Sequence, residues 1–72
     1  MEDKVLEIIS SIINVSVEEL KNKIDVENLW DSFSRVEIII ALEEEFDISF
    51  SQEEIAEIKT IAQVYSVIRN KI

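Results

Sequence analysis

The stretch Asp31-Ser32-Phe33-Ser34-Arg35-Val36-Glu37-Ile38-Ile39-Ile40-Ala41-Leu42-Glu43-Glu44-Glu45-Phe46-Asp47 decides the fold. Asp31 is a natural helix N-cap, and the pattern predicts a helix running to about Phe46. At about 100° per residue, Ile38, Ile39, Leu42 and Phe46 fall within one arc of about 100°. That arc is the expected core stripe. Phe33, Val36 and Ile40 fall on the opposite side, interleaved with Glu37, Glu44 and Asp47. A surface helix needs one apolar stripe, and this one has two. On periodicity alone two explanations stand. The second set packs on the preceding loop, or it is a docking face with an apolar centre and an acidic rim. Arg35 is the single base of this helix and lies near the core arc. It has Asp31 and Asp25 as possible partners, or it projects past the helix end. A lone Arg there is more commonly a surface ion pair of small worth than a ligand contact.

Outward from this helix the pattern stays helical. Val5, Leu6, Ile8, Ile9, Ile12 and Ile13 give residues 3–13 helical spacing, and Asn14 is a natural stop. Ser16 can cap a short turn, with Glu18 and Glu19 at its positive end and Leu20 inward. Residues 21–31 show no periodicity. The connection from Asn14 to Asp31 is long against the about 2–8 residues usual in bundles. Ile24, Val26, Leu29 and Trp30 imply that it packs down on the core. Ser51 and Glu54 have capping-box spacing ahead of a short helix over 52–58. Thr60 and Gln63 repeat it ahead of a helix over 61–71, with Ile61, Val64, Tyr65, Val67 and Ile68 apolar. Arg69 and Lys71 sit at its negative end. Phe50 between polar neighbours is too little for a strand. The expected class is all-α: a small four-helix bundle of three main helices and one short one, with a long loop between the first and second.

Composition bounds the chemistry. The 72 residues suffice for one domain, 1–72, with one small core. So short a domain buries about 60% of its unfolded surface and has little stability to spare. There is no Cys and no His, which excludes disulfides, soft metal sites and imidazole catalysis. The remaining candidates for chemistry are carboxylates, Lys, Tyr65 and hydroxyls. Glu43-Glu44-Glu45 spreads around the helix and forms no facing dyad, so no catalytic residue is assigned. No EF-hand spacing occurs and no metal ligands are assigned; Glu43–Asp47 and Glu53–Glu57 would bind Ca²⁺ or Mg²⁺ weakly at most. Gly and Pro are absent. Turns must use Asn, Asp and Ser, and no Gly-rich phosphate loop exists.

Sixteen acids against seven bases give a net charge of −9. Nucleic acid and anionic membrane are then unfavourable partners, and a basic protein patch is the complement. No stretch approaches a membrane span of about 20 apolar residues, and the acidic N-terminus does not read as a signal peptide. A monomer in the cytoplasm is the expectation.

The run from Leu29-Trp30-Asp31-Ser32-Phe33 through Ala41-Leu42-Glu43-Glu44-Glu45-Phe46-Asp47 resembles the acyl carrier protein family, which places a D-S-L motif at the start of its second helix. The likeness covers essentially the whole chain, since Ile48 to Ile61 is similar to the family's third helix and its approach to the fourth. It implies that Ser32 accepts a covalent 4′-phosphopantetheine arm from a transferase and carries acyl groups on it as thioesters. It implies a recognition role for Asp31 beside its capping role. Glu37, Glu44 and Asp47 match positions that dock basic patches on acyl-loading and acyl-processing enzymes. Phe33, Val36 and Ile40 match the apolar positions between them, which favours the docking face over loop packing. Departures are Asn28-Leu29-Trp30 where a Gly usually stands, Phe33 for Leu, and Ser34-Arg35 for acidic or neutral residues. The D-S-F and F-D-I elements are similar to D-alanyl carrier proteins. A D-alanyl or aminoacyl carrier is therefore the alternative cargo class, and a non-catalytic acidic interaction module the alternative function.

Overall fold

The computed structural model describes residues 1–72 and is all-helical. The elements are α1 (Glu2–Ile13), α2 (Val17–Lys21), α3 (Ser32–Phe46), α4 (Gln52–Glu57) and α5 (Ile61–Arg69). The three expected main helices form. One addition lies in the long connection, where the turn at Ser16 closes into the helix α2. Ser16 Oγ accepts the Glu19 N–H at 3.2 Å, and Glu18 and Glu19 occupy the first turn. Both capping boxes form, at Ser51/Glu54 and at Thr60/Gln63. The last two helices stop slightly short of their sequence pattern. Ile58 leaves α4 in extended backbone because its side chain turns into the core, where it is 1% exposed. Asn70 caps α5, and the Lys71 N–H closes a tighter turn on the Ile68 carbonyl at 2.9 Å.

Helix ends and turns that would often use glycine are built from Asn and Asp. Asn14 (φ 60°) ends α1, Asp47 (φ 54°) ends α3, and Asn28 (φ 64°) turns the loop ahead of α3. Their short polar side chains tolerate the left-handed region better than other residues with a Cβ.

The core joins Val5, Leu6 and Ile9 of α1, Leu20 of α2, Ile38, Ile39 and Leu42 of α3, and Ile61, Val64, Tyr65 and Ile68 of α5. Phe50 and Ile58 enter it from the connections around α4. Burying each such side chain stabilises by about 1.5–3 kcal/mol before chain entropy is charged. The long connection is held down: Ile24, Leu29 and Trp30 pack on this core, and the Ile24 carbonyl accepts the Ala62 N–H at 2.9 Å. That bond satisfies a donor that the first turn of α5 leaves open. Val26 departs from expectation. It sits at a turn closed by its own N–H on the Lys23 carbonyl, and its side chain is left 44% exposed. An exposed ion pair, worth about 0–1 kcal/mol, ties Arg69 to Glu2, and a half-buried one ties Lys71 to Glu54 of α4.

Candidate functional site at the start of helix α3

Asp31 builds the site by starting the helix. Its backbone is extended (φ −87°, ψ −179°), its Oδ1 accepts the Ser34 N–H at 2.7 Å, and its carbonyl accepts the Arg35 N–H at 3.0 Å. The Ser34 backbone N–H first, and the Ser34 hydroxyl after it, hold the Asp31 carboxyl below the ordinary aspartate range. The cap is therefore charged as well as bonded.

With capping assigned to Asp31, the next side chain is released from that work. Ser32 is the first residue of α3 and is exposed. The N–H groups of a helix's first residues have no intrahelical acceptor, and the dipole is positive there. An ester of phosphoric acid on Ser32 would sit where its negative charge is favoured.

α3 resolves the question of its two faces. Ile38, Ile39 and Leu42 are buried, and Phe46 is partly buried against the core. Phe33, Val36 and Ile40 are 74%, 56% and 50% exposed, so the preceding loop does not cover them. Glu37, Glu44 and Asp47 are exposed as well. On the helical wheel Phe33, Val36, Glu37, Ile40 and Glu44 share one arc of about 100°, centred nearly opposite the core arc. Asp47 lies just past the last turn, where it also serves as the left-handed cap, its N–H on the Glu43 carbonyl. The structure thus brings the sequence-predicted residues together along one side of one helix, with Ser32 at its head.

Other residues escaped sequence reasoning. Glu43 belongs to the acidic run but faces the chain: its Oε2 accepts the Phe50 N–H at 2.8 Å and anchors the turn into α4. Arg35 makes neither anticipated ion pair; it is partly buried, and its Nε has no acceptor in the chain. It lines a cleft of about 300 Å³ beside Ser32. Asn28 and Trp30 bound this cleft from the loop, Asp31 and Ser32 from α3, and Ile58 and Lys59 from the α4–α5 connection. Lys59 lies 27 positions after Ser32 in sequence, and the packing of Ile58 brings it here.

Catalytic alternatives find no geometry. Burial first, then the Glu2 and Asp3 charges, push the Tyr65 hydroxyl above its ordinary value, away from use as a nucleophile. Asp31 and Glu54 are both displaced downward, Glu54 chiefly by the Ser51 N–H, the reverse of a general acid. No three acidic side chains converge as a cation site, and no helix is long and apolar enough to cross a membrane.

A family model for the phosphopantetheine attachment site matches residues 3–68. An acyl carrier protein of Buchnera aphidicola subsp. Schizaphis graminum (strain Sg) is 40% identical over 73 aligned positions, covering 99% of this chain and 92% of that protein. The chain belongs to the acyl carrier protein family. A second relative, the acyl carrier protein of Buchnera aphidicola subsp. Acyrthosiphon pisum (strain 5A), is 37% identical over 99% of this chain and 91% of its own length. Acyl carrier proteins carry rather than catalyse, and their covalent cofactor is 4′-phosphopantetheine. They work with a modifying transferase and with partner enzymes. The start of α3 suits such a group: an exposed hydroxyl, free helix N–H donors and a charged cap that leaves the serine unengaged.

Proposed function

We propose that residues 1–72 act as one monomeric carrier domain in the cytoplasm, with 4′-phosphopantetheine esterified to Ser32. The observation that carries this reading is the exposed Ser32 at the head of a helix whose outer face is apolar and rimmed by acids. In the loading step the Ser32 Oγ–phosphorus bond forms and the diphosphate bond of coenzyme A breaks. Adenosine 3′,5′-bisphosphate leaves, and the hydroxyl proton passes to a base on the transferase. Once attached, the arm supplies a terminal thiol that holds acyl groups as thioesters; tethering then raises their effective concentration at each partner's active site.

Phe33, Val36 and Ile40 form the centre of the docking face, and Glu37, Glu44 and Asp47 its rim toward basic patches on acyl-loading and acyl-processing enzymes. Few buried groups and many exposed charges suit brief, salt-sensitive contact, as repeated hand-over needs. The cargo is an acyl group of fatty-acid, polyketide or another specialised biosynthesis; the relatives' names support acyl over D-alanyl cargo. The test is incubation with coenzyme A, Mg²⁺ and a broad-specificity transferase. The wild type gains one phosphopantetheine mass and Ser32→Ala gains none; an unmodified wild type beside a modified control carrier contradicts the proposal.

A further inference from the structure

We propose that the cleft beside Ser32 is a seat for the phosphodiester of the arm, with Arg35 and Lys59 as its cationic walls. This rests on the reading that Ser32 carries the arm. Acids outnumber bases sixteen to seven, yet Lys4, Lys21, Arg35 and Lys59 engage no carboxylate, and of these four Arg35 and Lys59 are the two that border this cleft. One donor of Arg35 is also unmet. Arg35 Nε is shielded from water and has no acceptor in the chain, a state relieved when the guanidinium turns into the cleft that Arg35 lines and meets an oxygen-rich anion there.

Arg35 lies three residues after Ser32, one helical turn on, so the two share a side of α3 and border the same cleft. Lys59 reaches the cleft from the α4–α5 connection, on a backbone held in place. Ile58 is buried before it, and the Lys59 and Thr60 N–H groups both donate to Gln63 Oε1, at 2.7 Å and 3.0 Å. The Asp31 carboxylate also borders the cleft and opposes an anion. Its charge is engaged by the Ser34 N–H, and two cations against one carboxylate leave a single positive charge. A phosphodiester carries one negative charge. The match favours a monoanion already held at Ser32 over a free, doubly charged phosphate.

The experiment compares apo and holo forms of the wild type, Arg35→Gln, Lys59→Gln and the double variant, each holo form checked by mass. Two readouts are taken: the melting-temperature gap between holo and apo, and the phosphorus NMR linewidth of the diester. In the wild type the holo form melts higher at an ionic strength of about 0.01 M, and the gap shrinks at about 1 M. Each single variant narrows the gap, the double variant removes most of it, and the diester line sharpens as the group becomes free. Comparing holo with apo within each variant cancels any loss of fold stability. Equal gaps and equal linewidths in the wild type and the double variant, with both fully loaded, overturn the seat alone. A wild type that takes up no arm overturns the attachment reading and the seat with it.

Discussion

Glu43 accepts the Phe50 N–H through its Oε2 at 2.8 Å, reaching from α3 across the turn that leads into α4. Neighbouring acids on the same helix therefore do different work. Glu43→Ala leaves a partly buried donor unpaired and is expected to cost about 1–3 kcal/mol in denaturant unfolding. Glu44→Ala, at an exposed position, should stay within about 0.5 kcal/mol of wild type. Equal effects of the two substitutions would refute this division.

The two faces of α3 predict a dissociation of stability from docking. Leu42→Ala opens a cavity in the core and should cost about 2–5 kcal/mol. Ile40→Ala should leave stability within about 0.5 kcal/mol and weaken the contact with a partner enzyme. Glu37→Lys with Glu44→Lys should slow acyl transfer, the more so at low ionic strength. Transfer rates that ignore these charges at every salt concentration would remove the docking face from the account.

Acid should weaken the start of α3 through Asp31. Its carboxyl titrates lower in the folded chain than its ordinary value of 3.8, so the ionised form is the one that stabilises. That contribution is complete above 3.8 and is lost as pH falls through the lower folded value. Asp31→Asn keeps an acceptor for the Ser34 N–H without the titrating charge. Its unfolding free energy should fall less steeply than the wild type's below 3.8, read by denaturant titrations across pH. Parallel slopes would show that the charge of the cap does not matter.

Thr60 is 9% exposed and caps the helix that supplies Ile61, Val64, Tyr65 and Ile68 to the core. Thr60→Ala should cost about 0.5–2 kcal/mol, and Thr60→Ser should recover most of it. A Thr60→Ala protein as stable as wild type would mean that Gln63, which still receives the Lys59 and Thr60 N–H groups, holds the turn alone.

Much of this was legible in the sequence because it is local. Ser51/Glu54 and Thr60/Gln63 announce helix starts by spacing, and the opposed apolar sets of α3 follow from helical period alone. What stayed hidden depends on chain geometry that no spacing encodes. Whether Phe33, Val36 and Ile40 lay against the loop turned on where Asn28 sends the chain, and its positive φ has no signature beyond being Asn. Val26 resembles Ile24 and Leu29 in type, yet only its place at a turn tip exposes it. Glu43 is indistinguishable from Glu44 until Phe50 folds back, and Lys59 joins Arg35 only once Ile58 is buried.

On the proposed reading one hydroxyl, that of Ser32, takes the arm. Ser34 is its nearest rival, two residues on and partly buried, with its N–H on Asp31. Fragment-mass mapping of the transferase-treated protein separates them. The whole added phosphopantetheine mass is expected on Ser32, with Ser34 unaltered. Mass on Ser34, or on any residue other than Ser32, would contradict that reading.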